Sequence, residues 1–147
     1  MELNHMKKSM LMIVVLGNVL MAQNGPLENG VYAVEEGNAK GNNLVIRQYE
    51  GKDLVLDAAH FAPLVVEGKP QISRDARGSW LTIQLAPEAA KRLEDLTRSQ
   101  MNRSIAVVVS DKILTAPTVR SVITDGKARI TPCEDESCEK LLRQLGK

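Results

Sequence analysis

The chain has 147 residues, which is enough for one domain together with a leader or a small extra unit. Its composition, 44% hydrophobic and 25% charged, is that of a globular protein and excludes a bundle of membrane-spanning helices. A net charge of +1 and an aromatic content of 3% supply neither the basic surface nor the flat rings that bind nucleic acids, so we expect no nucleic-acid partner.

Residues 1–22 have the layout of a secretory signal peptide. Lys7 and Lys8 precede an apolar run that begins at Met10 and ends at Ala22, and a polar breaker follows. The run is interrupted and too short to cross about 30 Å of hydrocarbon. We therefore expect cleavage after Ala22, no stable membrane insertion of the mature chain, and an exported protein that is periplasmic or extracellular.

Residues 23–62 are predicted to form an N-terminal β-hairpin region followed by a connector. A polar connection rich in Gly and Asn, Glu36–Asn43, separates the first two strand candidates. Asp57–Phe61 is predicted to be the connector into the main domain. The strand candidates are Val31–Val34, Leu44–Arg47 and the brief Leu54–Leu56.

Residues 63–147 are predicted to form the main domain. Glu67–Pro70 is typical of a turn, and Ile72–Asp75 is a strand candidate. Ser79–Leu85 alternates between apolar and polar residues, which predicts a half-buried strand. The unbroken β-branched run Ile105–Val109 predicts a central strand that is covered on both faces. Between them a helix is predicted to begin at Pro87, with an apolar face formed by Ala89, Leu93 and Leu96.

The last part of the chain continues this pattern. Lys112–Thr115 is predicted to be the second strand of a hairpin, and Val119–Ile123 suggests one turn of helix. After a turn, Ala128 and Ile130 are expected to point inward from a short strand, and Lys127 and Arg129 outward. A C-terminal amphipathic helix is indicated by Cys138, Leu141, Leu142 and Leu145. This order predicts an α+β fold with a mainly antiparallel or mixed sheet and two amphipathic helices on one face.

Cys133 and Cys138 are the two cysteines of the chain, and we expect them to form a disulfide because export supplies an oxidising environment. So short a ring would contribute on the order of 2 kcal/mol. If the helix is capped by Thr131, however, both cysteines lie in it about 140° apart and cannot bond. A helix that begins at Asp135 leaves Cys133 in the preceding loop and permits the bond.

The residue patterns that could support catalysis or metal binding all have simpler explanations. His60 follows Asp57 by three residues, but a surface histidine explains it better than a catalytic triad. Glu35–Glu36 is better explained as a solvated loop edge than as a general acid and base. Glu134–Glu136 suits the start of a helix, and it lacks the spacing of a calcium loop. We expect no enzyme activity, no metal site and no cofactor.

A more specific signal comes from a residue motif in the segment that contains the predicted helix, central strand and hairpin. Leu96–Thr97, Ser104–Val109 and Ile113–Pro117 resemble the head subdomain of the first periplasmic domain of SecD, a membrane subunit that assists the Sec translocon. The similarity extends from about Pro63 to Leu145. It implies a SecD-head-like α+β fold for residues 63–147, although Pro132 replaces a usual glycine and the cysteines are additions.

The resemblance implies a non-enzymatic exported module that binds polypeptide or an envelope partner in connection with protein export. Components of the Sec translocon are candidate partners. The motif positions Thr97, Ala116 and Pro117 are candidate partner-binding residues, but a structural role explains each better: Thr97 closes a helix end by bonding a backbone group, and Ala116-Pro117 ends a strand. We expect Trp80 to pack at a sheet surface or rim, and it is also the one residue that could anchor a partner peptide. The alternative is an envelope structural or small-ligand-binding protein that reuses the fold.

Overall fold

The structure, a computed structural model, describes residues 25–130 and 135–145, with side chains from residue 139 onward in the second range. Within these ranges no helix is long and apolar enough to cross a membrane. The predicted signal peptide lies outside them. The described elements are β1 (Gly30–Glu35), β2 (Leu44–Tyr49), β3 (Lys52–Pro63), β4 (Val66–Asp75), β5 (Gly78–Leu85), α1 (Pro87–Ser99), β6 (Ile105–Val109), β7 (Lys112–Thr115), β8 (Lys127–Ile130) and α2 (Asp135–Leu145).

Five strands form an antiparallel sheet in the order β2-β3-β1-β6-β7. Its two edge strands, β2 and β7, also lie against each other, so the sheet curls back on itself. The concave side buries Tyr32, Leu56 and Val108. The Tyr32 ring stacks on Phe61 with 4.8 Å between ring centroids. Burial raises the pKa of Tyr32 to about 12, and the charges of Glu28 and Asp111 add to the effect.

Asp111 links the β6–β7 hairpin to β2 and to the segment before β1. It occupies the turn between β6 and β7, where Ser110 and Asp111 both have positive φ, as a type I′ turn requires. Its Oδ1 accepts the Leu27 N–H at 2.9 Å and the Arg47 Nη2 at 2.7 Å. The Leu27 N–H and then Arg47 hold the pKa of Asp111 below its usual value. These hydrogen bonds hold the segment before β1 against β2 and the β6–β7 hairpin.

The remaining strands form a second antiparallel sheet in the order β4-β5-β8. The predicted alternation of β5 is confirmed, because Leu81, Ile83 and Leu85 are buried. They share the main core with the apolar faces of both helices and with the convex side of the curled sheet. β6 therefore contributes to both cores and is covered on both faces, as predicted. The core residues of the helices are Ala89, Leu93, Leu96, Leu141 and Leu145.

The predicted α+β class is confirmed. In the described part of the chain the strands are mostly antiparallel and divide into two sheets, with two helices. The predicted connector Asp57–Phe61 is wrong, because this stretch lies within the twelve-residue β3. Tyr32 of β1 pairs with Phe61, but the next residue, Ala33, pairs with Asp57. Residues 58–60 have no partner in β1 and form a bulge that interrupts the apolar–polar alternation expected of a strand.

Two other local predictions are also wrong. Glu67–Pro70 lies inside β4, where the register against β5 shifts, so the glycine and proline mark a bulge rather than a turn. Val119–Ile123 contains no helical turn. Instead Val119 bridges to Met101, and Thr118 bridges to Ser104. These long-range pairings replace the local hydrogen bonds that a helix would make.

The predicted hairpin region and the predicted main domain pack together. β1, which precedes residue 63, pairs with β6 from Gly30↔Val108 to Ala33↔Ile105. Val31 and Ala33 belong to the same core as the residues of α1 and β5. The division of the chain at residue 63 stays a prediction.

Candidate functional site

An apolar cavity of about 140 Å³ opens between the two sheets. One wall is the convex side of the curled sheet, the other is β8, and the end of β7 and the following connection close one side. We call this cavity, together with the adjoining edge of β8, the β8 cleft. Its lining residues are Val31, Leu64, Ile105, Val107, Thr115, Pro117, Ile123, Ala128, Arg129 and Ile130.

The connection from residue 116 to 126 is held as a wall of the cleft by main-chain hydrogen bonds. The Ile105 N–H donates to the Pro117 carbonyl at 3.0 Å, and the Val119 N–H donates to the Arg103 carbonyl at 2.9 Å. Pro117 cannot donate to a strand ladder, so β7 ends before it and the chain turns along the end of β6. The Ala-Pro part of the sequence motif therefore shapes the cleft.

Thr97 fixes the same connection from behind. Its side chain is fully buried, and its Oγ1 donates to the Leu93 carbonyl at 2.9 Å. The same oxygen accepts the Ile123 N–H at 3.0 Å. Because Ile123 lines the cavity, the Leu-Thr part of the motif positions a wall residue of the cleft.

β8 presents main-chain groups along the other side of the cleft. It is an edge strand, paired with β5 from Leu81↔Ile130 to Gln84↔Lys127. The Leu85 N–H donates to the Gly126 carbonyl at 2.9 Å. Hydrogen-bonded and non-hydrogen-bonded residue pairs alternate along an antiparallel ladder. Gly126 is in a hydrogen-bonded pair, so the main-chain N–H and C=O groups of Lys127 and Arg129 point away from β5. The Lys127 N–H donates to the Asp125 carboxylate at 3.0 Å. Arg129 lines the cavity, so its main-chain groups face the side on which the cleft opens.

The outer face of the same sheet carries Trp80 and two cations. The Arg129 guanidinium carbon lies 3.7 Å from the centroid of the Trp80 ring, which is a close cation–π contact. Lys127 and Arg129 are exposed, as predicted, while Ala128 and Ile130 are buried. Trp80 is half-buried on β5 and is connected to the cleft through Arg129.

The four predicted partner-binding residues have different surroundings. Pro117 is exposed and lines the cleft, and Ala116 is half-buried beside it. Trp80 lies on the outer face, and Thr97 is buried behind the cleft wall, so in this conformation it can act only through the wall. The sequence reasoning did not single out Arg129 as a site residue, although the alternation of β8 already placed its side chain outward.

The histidine identified in the sequence meets a serine rather than an acid. His60 Nε2 lies 3.2 Å from Ser99 Oγ, which also donates to the Leu96 carbonyl at 2.9 Å. Asp57 instead accepts the Ala59 N–H at 2.9 Å. Ser99 ends α1, where the negative end of the helix dipole would oppose a developing oxyanion. The arrangement does not suit nucleophilic catalysis.

A second, more polar cavity of about 220 Å³ lies beside the Gly/Asn-rich loop. Glu35, Lys40 and Asp57 are among its lining residues. Glu35 also lies 3.7 Å from Arg103, so it is half of an ion pair rather than one of two catalytic carboxylates. Among residues 25–130 and 135–145, no three His, Cys, Asp or Glu side chains are grouped to hold a metal ion.

Cys133 lies outside the described residues, as does the side chain of Cys138, so the predicted disulfide stays a prediction. The helix α2 begins at Asp135. This is the start that, on the sequence argument, leaves Cys133 in the preceding loop and permits the bond.

These features together define an α+β domain in which an open strand edge adjoins an apolar cleft. Residues 40–145, which are 106 of the 147 residues, match the family described as the SecDF P1 head subdomain. The chain therefore belongs to this family, and the resemblance inferred from the central motif is confirmed.

Individual relatives agree with this assignment. The chain is 42% identical over 55 residues to the protein translocase subunit SecD of Acidaminococcus fermentans, covering 37% of this chain and 13% of that protein. It is 35% identical over 63 residues to the protein translocase subunit SecDF of Thermus thermophilus, covering 43% of this chain and 7% of that protein. The chain thus spans a small part of the length of these relatives.

The fold is also similar to that of a solved structure. A structure of SecDF, described as a membrane component that enhances protein export, aligns with a TM-score of 0.50 at 20% identity. The alignment covers 86% of this chain and 62% of that chain. At this identity the similarity supports the fold.

Proposed function

We propose that this domain is a non-enzymatic binding module that holds extended polypeptide in the β8 cleft, in connection with protein export. The observation that carries the proposal is the strand edge of β8 beside an apolar cavity. An extended peptide can add a strand to such an edge and place alternate side chains in an adjoining pocket. The names of the relatives, protein translocase subunits, agree with this role.

The size of the cavity sets what it can hold. An engineered apolar cavity of about 150 Å³ admits benzene, so about 140 Å³ accommodates one side chain the size of Leu, Ile or Phe. A second side chain would have to lie on the opposite face of the bound strand. The cleft is therefore suited to a main chain with one apolar side chain inserted, which favours an unfolded segment over a folded partner.

Binding should be measured by fluorescence anisotropy with a labelled, extended, apolar peptide. Ala128→Leu fills the cavity and should weaken binding at least about tenfold, because the inserted side chain loses its space. Ala39→Leu is the matched control, since it makes the same change in the loop cavity and should leave the affinity unchanged. Circular dichroism would verify that both variants are folded. The reverse result would assign binding to the loop cavity and refute the proposal.

We also propose that residues 1–22 are a signal peptide, that the mature chain is periplasmic or extracellular, and that Cys133 and Cys138 are bonded. Mass spectrometry of the exported protein would test all three. We expect an N-terminus at residue 23 and no reaction with an alkylating reagent before reduction. An intact leader or two alkylated thiols would contradict the corresponding part.

A small apolar ligand is the second candidate, because the cavity alone is large enough for one. It would make the domain a ligand-binding envelope protein that reuses the fold. Benzene and a short-chain alkane are suitable probes. Binding of these probes without any binding of peptide would favour this second function.

A further inference from the structure

We infer that the β8 cleft selects extended segments in which acidic residues alternate with apolar ones, and that Lys127 and Arg129 make this selection. The inference rests on the proposed function of the cleft. It adds a charge preference that an apolar cavity by itself would not produce.

The two faces of β8 have opposite character. Ala128 and Ile130 face the cavity and the core, whereas Lys127 and Arg129 face solvent on the outer side. A strand that pairs with β8 must present its own side chains to the same two faces. Its inward residues would enter the cavity. Its outward residues would lie about 5 Å, between Cβ atoms, from those of Lys127 and Arg129.

Among the described residues, the charges on the outer face leave these cations available to a ligand. On β5 their cross-strand neighbours are Gln84 and Thr82, which are uncharged. Glu67 faces Gln84 from β4, two strands from Lys127 and so about 10 Å away, which is one Debye length at about 0.1 M salt. An acid beside them is Asp125, whose carboxylate accepts the Lys127 N–H at 3.0 Å. Asp125 therefore offsets Lys127 in part, and Arg129 carries the larger share.

Arg129 is held in place by its contact with Trp80. The 3.7 Å stacking places the guanidinium on the outer face and turns it towards β5. A glutamate on the bound strand has the length to reach it, and the ordered guanidinium loses less conformational freedom on pairing than a mobile one would. This contact also gives Trp80 a part in binding, as the residue that positions Arg129.

The test uses three blocked peptides of equal length in which Leu alternates with Glu, Ser or Lys. For the wild-type protein at low salt we expect the Leu–Glu peptide to bind about fivefold tighter than the Leu–Ser peptide, with the Leu–Lys peptide weakest. The difference between the peptides should shrink at about 1 M salt, where charges are screened within about 3 Å.

Charge-reversing variants provide the decisive comparison. Arg129→Glu should invert the order of the Leu–Glu and Leu–Lys peptides, and Arg129→Gln should remove most of the difference. Lys52→Glu changes the net charge equally on an exposed position of β3 and should preserve the wild-type order. If Arg129→Glu does not fold, the Gln variant and the salt dependence decide the matter.

The outcomes separate the two proposals. If all three peptides bind the wild-type protein equally, or if Lys52→Glu changes the order as much as Arg129→Glu, the charge preference is refuted and the cleft remains a polypeptide site. If none of the peptides binds, the proposed function itself fails and the charge preference fails with it. In that case the cations serve only to protect the strand edge from aggregation.

Discussion

Replacing Thr97 with Val removes a single hydroxyl from the buried junction between α1 and the cleft wall while keeping the shape of the side chain. That hydroxyl donates to the Leu93 carbonyl at 2.9 Å and accepts the Ile123 N–H at 3.0 Å. Losing a hydrogen bond and leaving the part-buried Ile123 N–H without its acceptor costs about 1–3 kcal/mol. Because Thr97 is fully buried, we expect the free energy of unfolding to fall by about that amount.

Urea unfolding followed by fluorescence is suited to this measurement, since Trp80 is the chain's one tryptophan. Thr97→Ser is the matched control, because it retains the hydroxyl and loses only a methyl group, at about 1 kcal/mol. Hydrogen exchange separates the two effects: the Ile123 amide should lose protection in the Val variant and keep it in the Ser variant. Peptide affinity at the cleft should fall in the Val variant as well. Unchanged protection of the Ile123 amide in Thr97→Val would refute the role assigned to the hydroxyl.

Three further substitutions test other parts of the fold. Gly126→Ala should lower the melting temperature more than Gly68→Ala: both glycines have positive φ, but only at Gly126 would the new carbon lie 2.6 Å from a neighbouring side chain. Equal losses would contradict this packing. Because folding lowers the pKa of Asp111, its carboxylate contributes stability at pH values above about 3.9, the usual pKa of Asp in an unfolded chain. This stability is lost as the pH falls through the pKa of the folded state. Asp111→Asn should therefore flatten the loss of stability below about pH 4, and an unchanged acid-unfolding profile would contradict the role assigned to Asp111. Because folding raises the pKa of Tyr32 to about 12, its neutral hydroxyl contributes stability that is complete below about pH 10. This stability is lost as the pH rises from about 10 to about 12. Tyr32→Phe should lose less stability across that interval, and a loss equal to that of the wild type would show that Tyr32 is not responsible.

Elements with a strong period could be predicted from the sequence. The helix α1 begins at Pro87 and buries Ala89, Leu93 and Leu96, as its spacing indicated. The β-branched run of β6 is buried throughout. In these stretches each residue's local preference agrees with its burial in the folded chain, so the pattern and the structure coincide.

The predictions failed where distant pairing overrides the local pattern. The sequence pattern predicts a short strand and a connector where the structure has β3, because the register shift of β3 against β1 interrupts the alternation of side chains. The connection after β7 contains apolar residues at helical spacing, yet its main chain bonds to residues near the end of α1 and the start of β6. Both outcomes depend on partners that are far away in sequence, and a local pattern carries no information about them.

The sequence by itself determined the class of the fold, most of its elements and the family, because the periodicity of hydrophobic residues and the residues of a motif are properties of short stretches. It also placed Lys127 and Arg129 outward. Only the tertiary structure decided that the strands divide into two sheets, that β8 lies at an edge, and that this edge adjoins an apolar cavity. The physical reason is that an edge is defined by the strand that does not pair there, and pairing is decided by the burial of the whole chain.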